Sequence, residues 1–297
     1  MKKRKNANNL KKIITLVLII IVVIVTGKYF YKKNKSQISN IENQSEINEE
    51  YKKENIQEDN KTLDIQKSDL EQRLSTGKYL STDGLPVLMY HFFYDENKTE
   101  GKDENWIEIS NFEEQMKYLA DNDFYFPTWK EVEDYIDEKT ELPEKSVVIT
   151  VDDGDPSFFE LAVPIIQKYN IQATSFVVAY WYGDRAENKE KNISYQSHSY
   201  DMHKGGANGK GVMLSWSYDK IVDDLKTSQE VLGDATVFCY PFGQFNDLDV
   251  KALKDTGFKL AFTTQGGRVK KGASKYQLPR VRVSKSTSLK AFMQKVE

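Results

Sequence analysis

Val147-Val148-Ile149-Thr150-Val151-Asp152-Asp153-Gly154 decides how this chain is read. Its first five residues are four β-branched aliphatics and one threonine. A run of that kind, without polar alternation, marks a strand buried on both faces, as in a parallel sheet. It passes directly into two carboxylates and a glycine. After Pro156 comes a helical pattern of Phe158, Phe159, Leu161, Ala162, Ile165, Ile166 and Tyr169. Strand, acidic turn and helix make a βα unit, and in α/β barrels the C-terminal ends of strands face the active site. Two carboxylates there are costly unless a cation lies beside them. The plain alternative is a solvated Asp-Asp-Gly turn.

The alternation extends on both sides of this unit. Pro86–His91 reads as a first strand ending in a histidine. Ser110 is the expected N-cap of a helix over Asn111–Asn122, and Thr128 caps a second helix reaching Lys139. Ala173–Ala179, Ile193–His198, Val237–Pro241, Leu260–Thr263 and Tyr276–Val283 read as further strands. Tyr218–Leu232 and Asp247–Thr256 read as helices, the latter with Gly257 in the usual C-terminal position. Alternation over roughly 210 residues in one unit predicts an α/β fold built on a parallel barrel.

The N-terminal part is different in kind. Lys2, Lys3, Arg4, Lys5, Lys11 and Lys12 are followed by Ile13–Val25, apolar except for Thr15. A basic flank before an apolar run signals membrane targeting with the N-terminus inside. The run is short for a span of roughly 20 residues, so a cleaved signal peptide is the alternative. However, Thr26–Phe30 offers no Ala-x-Ala-like site, and Tyr29, Phe30, Tyr31, Lys32 and Lys33 suit an interfacial belt. The expected order is a cytoplasmic basic segment at 1–12, a transmembrane signal anchor at 13–31, a polar extracytoplasmic tether at 32–80 and a folded domain at 84–297. The tether is rich in Glu, Lys, Asn, Gln and Ser and cannot bury a core, although Leu63–Leu74 has some helical character. Its use is reach. This places the protein in the cell membrane as a single-pass chain with its folded domain outside.

With 297 residues and a net charge of −3, the chain carries no basic stripe beyond the N-terminus, so nucleic acid is not an expected partner. Cys239 is the single cysteine, which excludes intramolecular disulfides and a Cys-rich zinc site. There are three histidines: His91, His198 and His203. The last two lie five residues apart in His198-Ser199-Tyr200-Asp201-Met202-His203, a spacing that diverges on a helix but can converge in a turn. Two imidazoles and one carboxylate form an open ligand set for a catalytic divalent metal, leaving a position for water. The alternative is two surface histidines in a polar loop.

Thr150-Val151-Asp152-Asp153-Gly154 resembles the Thr-Phe-Asp-Asp-Gly motif of the polysaccharide deacetylases, the NodB-homology or carbohydrate esterase family 4 enzymes. His198-Ser199…His203 resembles their second motif. Its spacing, its Ser-Tyr-Asp-Met-His wording and the opening Leu88-Met89-Tyr90-His91 are similar to the branch that deacetylates poly-β-1,6-N-acetylglucosamine. Tyr240-Pro241-Phe242-Gly243 resembles the third motif, Arg-x-Pro-Tyr. The resemblance covers Leu85 to Val283 and implies a distorted TIM-like (β/α) barrel.

By that resemblance Asp153, His198 and His203 bind one divalent ion, with zinc first and cobalt, nickel or iron fitting almost as well. Asp152 is then the general base. Cys239 stands where the third motif has the arginine that orients the base, so Arg280 or Arg282, alternating on one strand face, is expected to replace it. Phe242 replaces the motif's tyrosine, leaving a backbone N–H for the oxyanion, with Pro241 and Tyr240 beside it. The histidine that serves as general acid in many members is missing, since Leu278-Pro279-Arg280 occupies that region. Asp152 returning its proton, or His91, must protonate the leaving amine. Trp181, with Tyr180, Tyr182, Trp216 and Phe245, is a candidate for stacking on sugar faces, and Asp201 for supporting a metal histidine.

The resemblance thus implies a metal-dependent N-deacetylase acting on N-acetylglucosamine units of a cell-surface polysaccharide, with an exopolysaccharide favoured. Peptidoglycan is the nearest alternative substrate. A glycan-binding module with weakened catalysis and a hydrolase of O-acetyl esters are the rivals of other classes.

Overall fold

The computed structural model describes residues 64–188, 190–206, 209–233 and 235–297. The basic segment 1–12, the anchor 13–31 and the tether up to residue 63 lie outside the described residues. Among those described, no helix is long and apolar enough to cross a membrane. The chain divides into two compact units, Met1–Asp69 and Leu70–Glu297. The second unit therefore begins earlier than residue 84. Leu70 is buried, Arg73 pairs with Asp123 at 2.8 Å, and the Leu80 N–H donates to the Leu142 carbonyl at 2.8 Å. Leu70, Leu74 and Leu80 in a polar run are too sparse to read as a periodic face. Residues 64–74 are helical (α1), as the sequence suggested.

Seven parallel strands close into a barrel among the described residues. They are β1 (Val87–Tyr90), β4 (Val148–Val151), β5 (Ala173–Val177), β6 (Ile193–Ser197), β7 (Val237–Cys239), β8 (Leu260–Gly266) and β9 (Leu278–Arg282), hydrogen-bonded in that order. The distortion is local. β6 and β7 share one residue pair, Ser197 with Phe238, and the β8–β9 register shifts between Phe262 and Gly266. The helices around the barrel are α2 (Ile109–Asp121), α3 (Trp129–Ile136), α4 (Val163–Lys168), α5 (Ala179–Tyr182), α6 (Tyr218–Leu232), α7 (Asp247–Asp255) and α8 (Leu289–Val296). A two-stranded parallel ribbon, β2 (Phe92–Tyr94) with β3 (Trp106–Glu108), and the closing helix α8 are elements the sequence pattern did not announce. Strands of three residues carry too few positions for alternation to register.

The strand residues sort by parity, as a pleated chain requires. Leu88, Tyr90, Ile149 and Val151 pack outward with Phe112, Met116 and Leu119 of α2. Val87, Val148, Phe176, Val237, Leu260 and Leu278 form a separate inner cluster, joined by Val132, Tyr135 and Ile136 of α3. Trp129 of α3 donates from Nε1 to Thr174 Oγ1 at 3.1 Å beneath this cluster. Both faces of β4 are thus buried, which is why its sequence does not alternate. The caps agree with expectation at Thr128, which makes a full capping box with Glu131. They differ at α2, where the Glu108 side chain accepts from Asn111 N and is the N-cap, while Ser110 sits in the first turn and donates to it. A carboxylate at an N-cap also complements the positive end of the helix.

Candidate active site

Asp152, Asp153 and His198 stand just past the C-terminal ends of barrel strands, His203 follows in the turn after β6, and Arg280 lies within β9. Parity carries Val148, Thr150 and Asp152 to the inner face of β4. Asp153 would point outward on an extended chain, but its backbone is left-handed (φ 73°), as is that of Gly154 (φ 77°). The turn brings both carboxyl groups to the barrel mouth. A Cβ on Gly154 would lie 3.1 Å from Val177 Cγ1, so the close approach to β5 also favours glycine. Ser199 (φ 76°) and Phe242 (φ 59°) are left-handed at the ends of β6 and β7. For residues with a Cβ each such conformation costs about 1–3 kcal/mol, and such positions cluster at functional sites.

Asp152 is 2% exposed and is held by Arg280, which is fully buried on β9. Nη1 donates to Asp152 Oδ1 at 2.7 Å and Nη2 to Oδ2 at 2.6 Å, a two-pronged ion pair. The remaining donors are also used: Nε to the Thr263 carbonyl at 3.1 Å, Nη1 to Thr150 Oγ1 at 3.0 Å and Nη2 to Cys239 Sγ at 3.1 Å. A guanidinium has five N–H donors, and all are satisfied here. That completeness lets a buried charge persist, because desolvating each ion costs several kcal/mol. Burial works to raise the Asp152 pKa, but the charge and hydrogen bonds of Arg280 outweigh it and hold the carboxyl well below the usual range. Of the two arginines expected near the base in place of the one missing at position 239, Arg280 is the one that contacts Asp152. Cys239 leaves the room: its thiol lies 3.6 Å from Asp152 Oδ2, and burial pushes its pKa up, keeping it neutral.

Arg282 does not join this pair. It is exposed where β9 ends and donates to Asn105 Oδ1. Sharing a strand face with Arg280 was not enough, because two residues along β9 carries the side chain out of the barrel mouth.

Asp153 Oδ1 is buried and has no hydrogen-bond partner. It faces His198 Nε2 at 3.4 Å and His203 Nε2 at 3.3 Å. Bonds of about 2.0–2.1 Å to a tetrahedral centre impose ligand–ligand separations of about 3.3–3.4 Å. An orphaned carboxylate oxygen and two imidazole nitrogens at those separations fit a divalent ion. His198 is oriented from behind, since its Nδ1 lies 2.7 Å from the Cys239 carbonyl, which fixes Nε2 as the ligand atom. Burial, then the charge of His198, lowers the His203 pKa to about 4, so its imidazole is neutral at pH 7. His91 Nε2 stands 3.7 Å from Asp152 Oδ2, outside hydrogen-bond reach, and burial lowers its pKa also.

The third-motif stretch separates into two roles. Tyr240 is fully buried, stacks on Phe245 and donates to the Tyr276 carbonyl at 3.0 Å, so it is a core residue and does not line the site. Pro241, also buried, begins a tight turn that presents Phe242. Gly243 (φ 68°) is required there, because a Cβ would meet Thr264 Oγ1 at 2.2 Å and its backbone N at 2.7 Å. The Phe242 ring is 44% exposed and sits 4.5 Å from the His203 ring, with Trp181, 43% exposed, on another side at 5.4 Å. Tyr180 is exposed and meets the Tyr200 ring edge-on, whereas Trp216 and Phe245 pack against the core cluster of α6 and α7. Asp201 does not support a metal histidine; it pairs with Lys204 at 2.6 Å.

Sequence reading missed the Cys239 carbonyl, the Thr150 hydroxyl and Asp224. A signal for Asp224 exists: it and Ser228 interrupt the buried stripe Ile221, Leu225, Leu232 of α6.

A polysaccharide deacetylase family model matches residues 139–261. The poly-beta-1,6-N-acetyl-D-glucosamine N-deacetylase of Staphylococcus aureus (strain MRSA252) is 31% identical over 197 residues, covering 60% of this chain and 68% of that protein. The solved structure of IcaB from Ammonifex degensii matches with a TM-score of 0.63 at 25% identity, over 74% of this chain and 100% of that one. Streptococcus pyogenes deacetylase PplD in complex with acetate has the same fold, with a TM-score of 0.62 at 24% identity over 72% of this chain and 98% of that one. From the barrel, the paired Asp152 and these matches together it follows that the chain belongs to the polysaccharide deacetylase family, hydrolases that act on amide bonds.

Proposed function

We propose that this protein is a metal-dependent N-deacetylase of N-acetylglucosamine units in a cell-surface polysaccharide, of the poly-β-1,6-linked type. The observation that carries the reading is the Asp153–His198–His203 donor set beside an Asp152 ionised by Arg280. A glycan-binding module has no use for a buried base held in that way. The relative named for poly-beta-1,6-N-acetyl-D-glucosamine supports the linkage. The apolar run at 13–25 and its basic flanks support an anchored protein with its active site outside the membrane.

Asp153, His198 and His203 would hold the ion, zinc being the first candidate. When bound, a divalent ion supplies Lewis-acid polarisation of the acetamide carbonyl and an acidified water. Asp152 would accept a proton from the attacking water as the water oxygen adds to the carbonyl carbon. The C–N bond then breaks, acetate forms, and the proton on Asp152 passes to the departing nitrogen. The charge of Arg280 overcomes burial and keeps Asp152 ionised, and so able to accept a proton, at neutral pH. His91, neutral at pH 7, lines the site without starting as an acid. The backbone N–H of Phe242, in a turn whose ring lies 4.5 Å from that of His203, is the candidate donor to the oxyanion.

The test is acetate release by the full chain from β-1,6- and β-1,4-linked N-acetylglucosamine oligomers, with and without chelator. Chelator-sensitive release preferring the β-1,6 linkage is expected. A β-1,4 preference would move the substrate to peptidoglycan, and no release from either with metal bound would point to another acyl group. Trp181→Ala is expected to raise KM for oligomers about 2- to 10-fold with kcat nearly kept, the size of one lost aromatic contact. An unchanged KM would remove Trp181 from the sugar-binding surface.

A further inference from the structure

The five-residue histidine spacing creates a structural demand. The turn between His198 and His203 leaves its backbone N–H groups without partners in a helix or strand, at a depth where such groups must be satisfied. Two are met from within: Ser199 N donates to Ser197 Oγ at 3.1 Å, and Met202 N to Ser199 Oγ at 3.1 Å. The other two go to a single carboxylate on a neighbouring helix. Tyr200 N donates to Asp224 Oδ1 at 2.7 Å and Asp201 N to Asp224 Oδ2 at 2.8 Å. On the opposite side the Ser199 and Tyr200 carbonyls accept from Ala179 N (3.0 Å) and Tyr180 N (2.9 Å) of α5. The turn is thus gripped between α5 and α6, and Asp224 is 7% exposed. A second link runs from α6 to the strand before the turn, Ser228 Oγ lying 2.8 Å from Ser197 Oγ.

We propose that Asp224 is the positioning residue that gives the His198–His203 turn its metal-binding shape. It touches neither histidine. It fixes the two peptides midway between them, so that both Nε2 atoms converge on Asp153 despite the five-residue separation. No amide side chain does this equally well, because Asn offers one acceptor and turns an NH₂ towards the second N–H. This rests on the reading that Asp153, His198 and His203 hold a divalent ion.

The test uses the full chain. Zinc binding to metal-free protein is measured by calorimetry for wild type, Asp224→Asn and, as a control, Asp249→Asn. Asp249 is a buried carboxylate in the first turn of α7 that accepts from the N–H of the N-cap Asn246. Amide hydrogen exchange is followed at Tyr200 and Asp201. Asp224→Asn should weaken zinc binding about 10- to 100-fold, the usual cost of losing a group that orients a ligand. It should also speed exchange at those two amides. Asp249→Asn should lower Tm and leave zinc affinity unchanged. Equal zinc affinity in wild type and Asp224→Asn would overturn the role of Asp224 alone, while a wild type that binds no ion would overturn the metal reading and this proposal with it. Asp224→Ser, with one small acceptor, serves as the second variant if Asp224→Asn is recovered unfolded.

Discussion

Asp152→Asn is expected to lower kcat by about 10²- to 10⁴-fold, the contribution of a positioned general base. Acetate release at saturating oligomer measures it. The substitution keeps the side chain's shape and leaves Asp153, His198 and His203 untouched, so metal content should stay at the wild-type level. Stability should fall as well. Arg280 loses its counter-charge while fully buried, and the new NH₂ faces a guanidinium donor. Breaking one side of a buried, hydrogen-bonded pair typically costs about 3–5 kcal/mol. If Asp152→Asn retained most of its activity, Asp152 would not be the base, and the oxyanion and ligand groups would have to carry the rate alone.

Arg280→Met should cost a similar amount of stability, but with a pH dependence that identifies the cause. In the native protein burial favours the protonated Asp152, and the Arg280 charge and hydrogen bonds overcome it. The folded pKa therefore lies below the unfolded value of about 3.9. A group depressed in this way contributes stability that is present above the unfolded pKa and lost as pH falls through the folded one. Without Arg280 burial dominates, and the folded pKa moves above the unfolded value. The variant then loses stability as pH rises, because an uncompensated carboxylate must ionise inside the barrel. Denaturant unfolding of metal-free protein should show a gap between wild type and variant that widens from about pH 4 to pH 7.5. Parallel curves would mean that Arg280 contributes packing and no charge. The acid limb of the activity profile should move to higher pH in step. Arg280→Lys should resemble the methionine variant more than the wild type, since an ammonium cannot reproduce five donors in a planar fork.

Much of the site was legible because its chemistry is concentrated in short runs. Strand β4 announces itself by lacking polar alternation, and two adjacent carboxylates at the end of such a strand have few structural explanations. His198 and His203 are conspicuous in a chain with three histidines. The resemblance implied an arginine beside the base, and with Cys239 in its usual place it narrowed the choice to Arg280 or Arg282. The same argument failed to separate Arg280 from Arg282, since parity says which face a side chain takes and not where the strand leaves the barrel. Tyr240 was misplaced for a related reason. Its motif neighbour Phe242 reaches the mouth only through a left-handed turn, and the residue before that turn points into the core.

The sequence by itself determined the strand and helix alternation, which is set by local pattern, and its resemblance to the deacetylases singled out Asp152, Asp153, His198 and His203 as the candidate base and ligands. The tertiary structure alone decided the seven barrel strands among the described residues, the weak β6–β7 pairing, the use of all five Arg280 donors and the grip of Asp224 on the histidine turn. These depend on groups far apart in the chain, 128 residues in the case of Arg280 and Asp152. Hydrogen bonds of that range leave no local periodicity. They form because closing the barrel buries a charge or an N–H that must then find its partner.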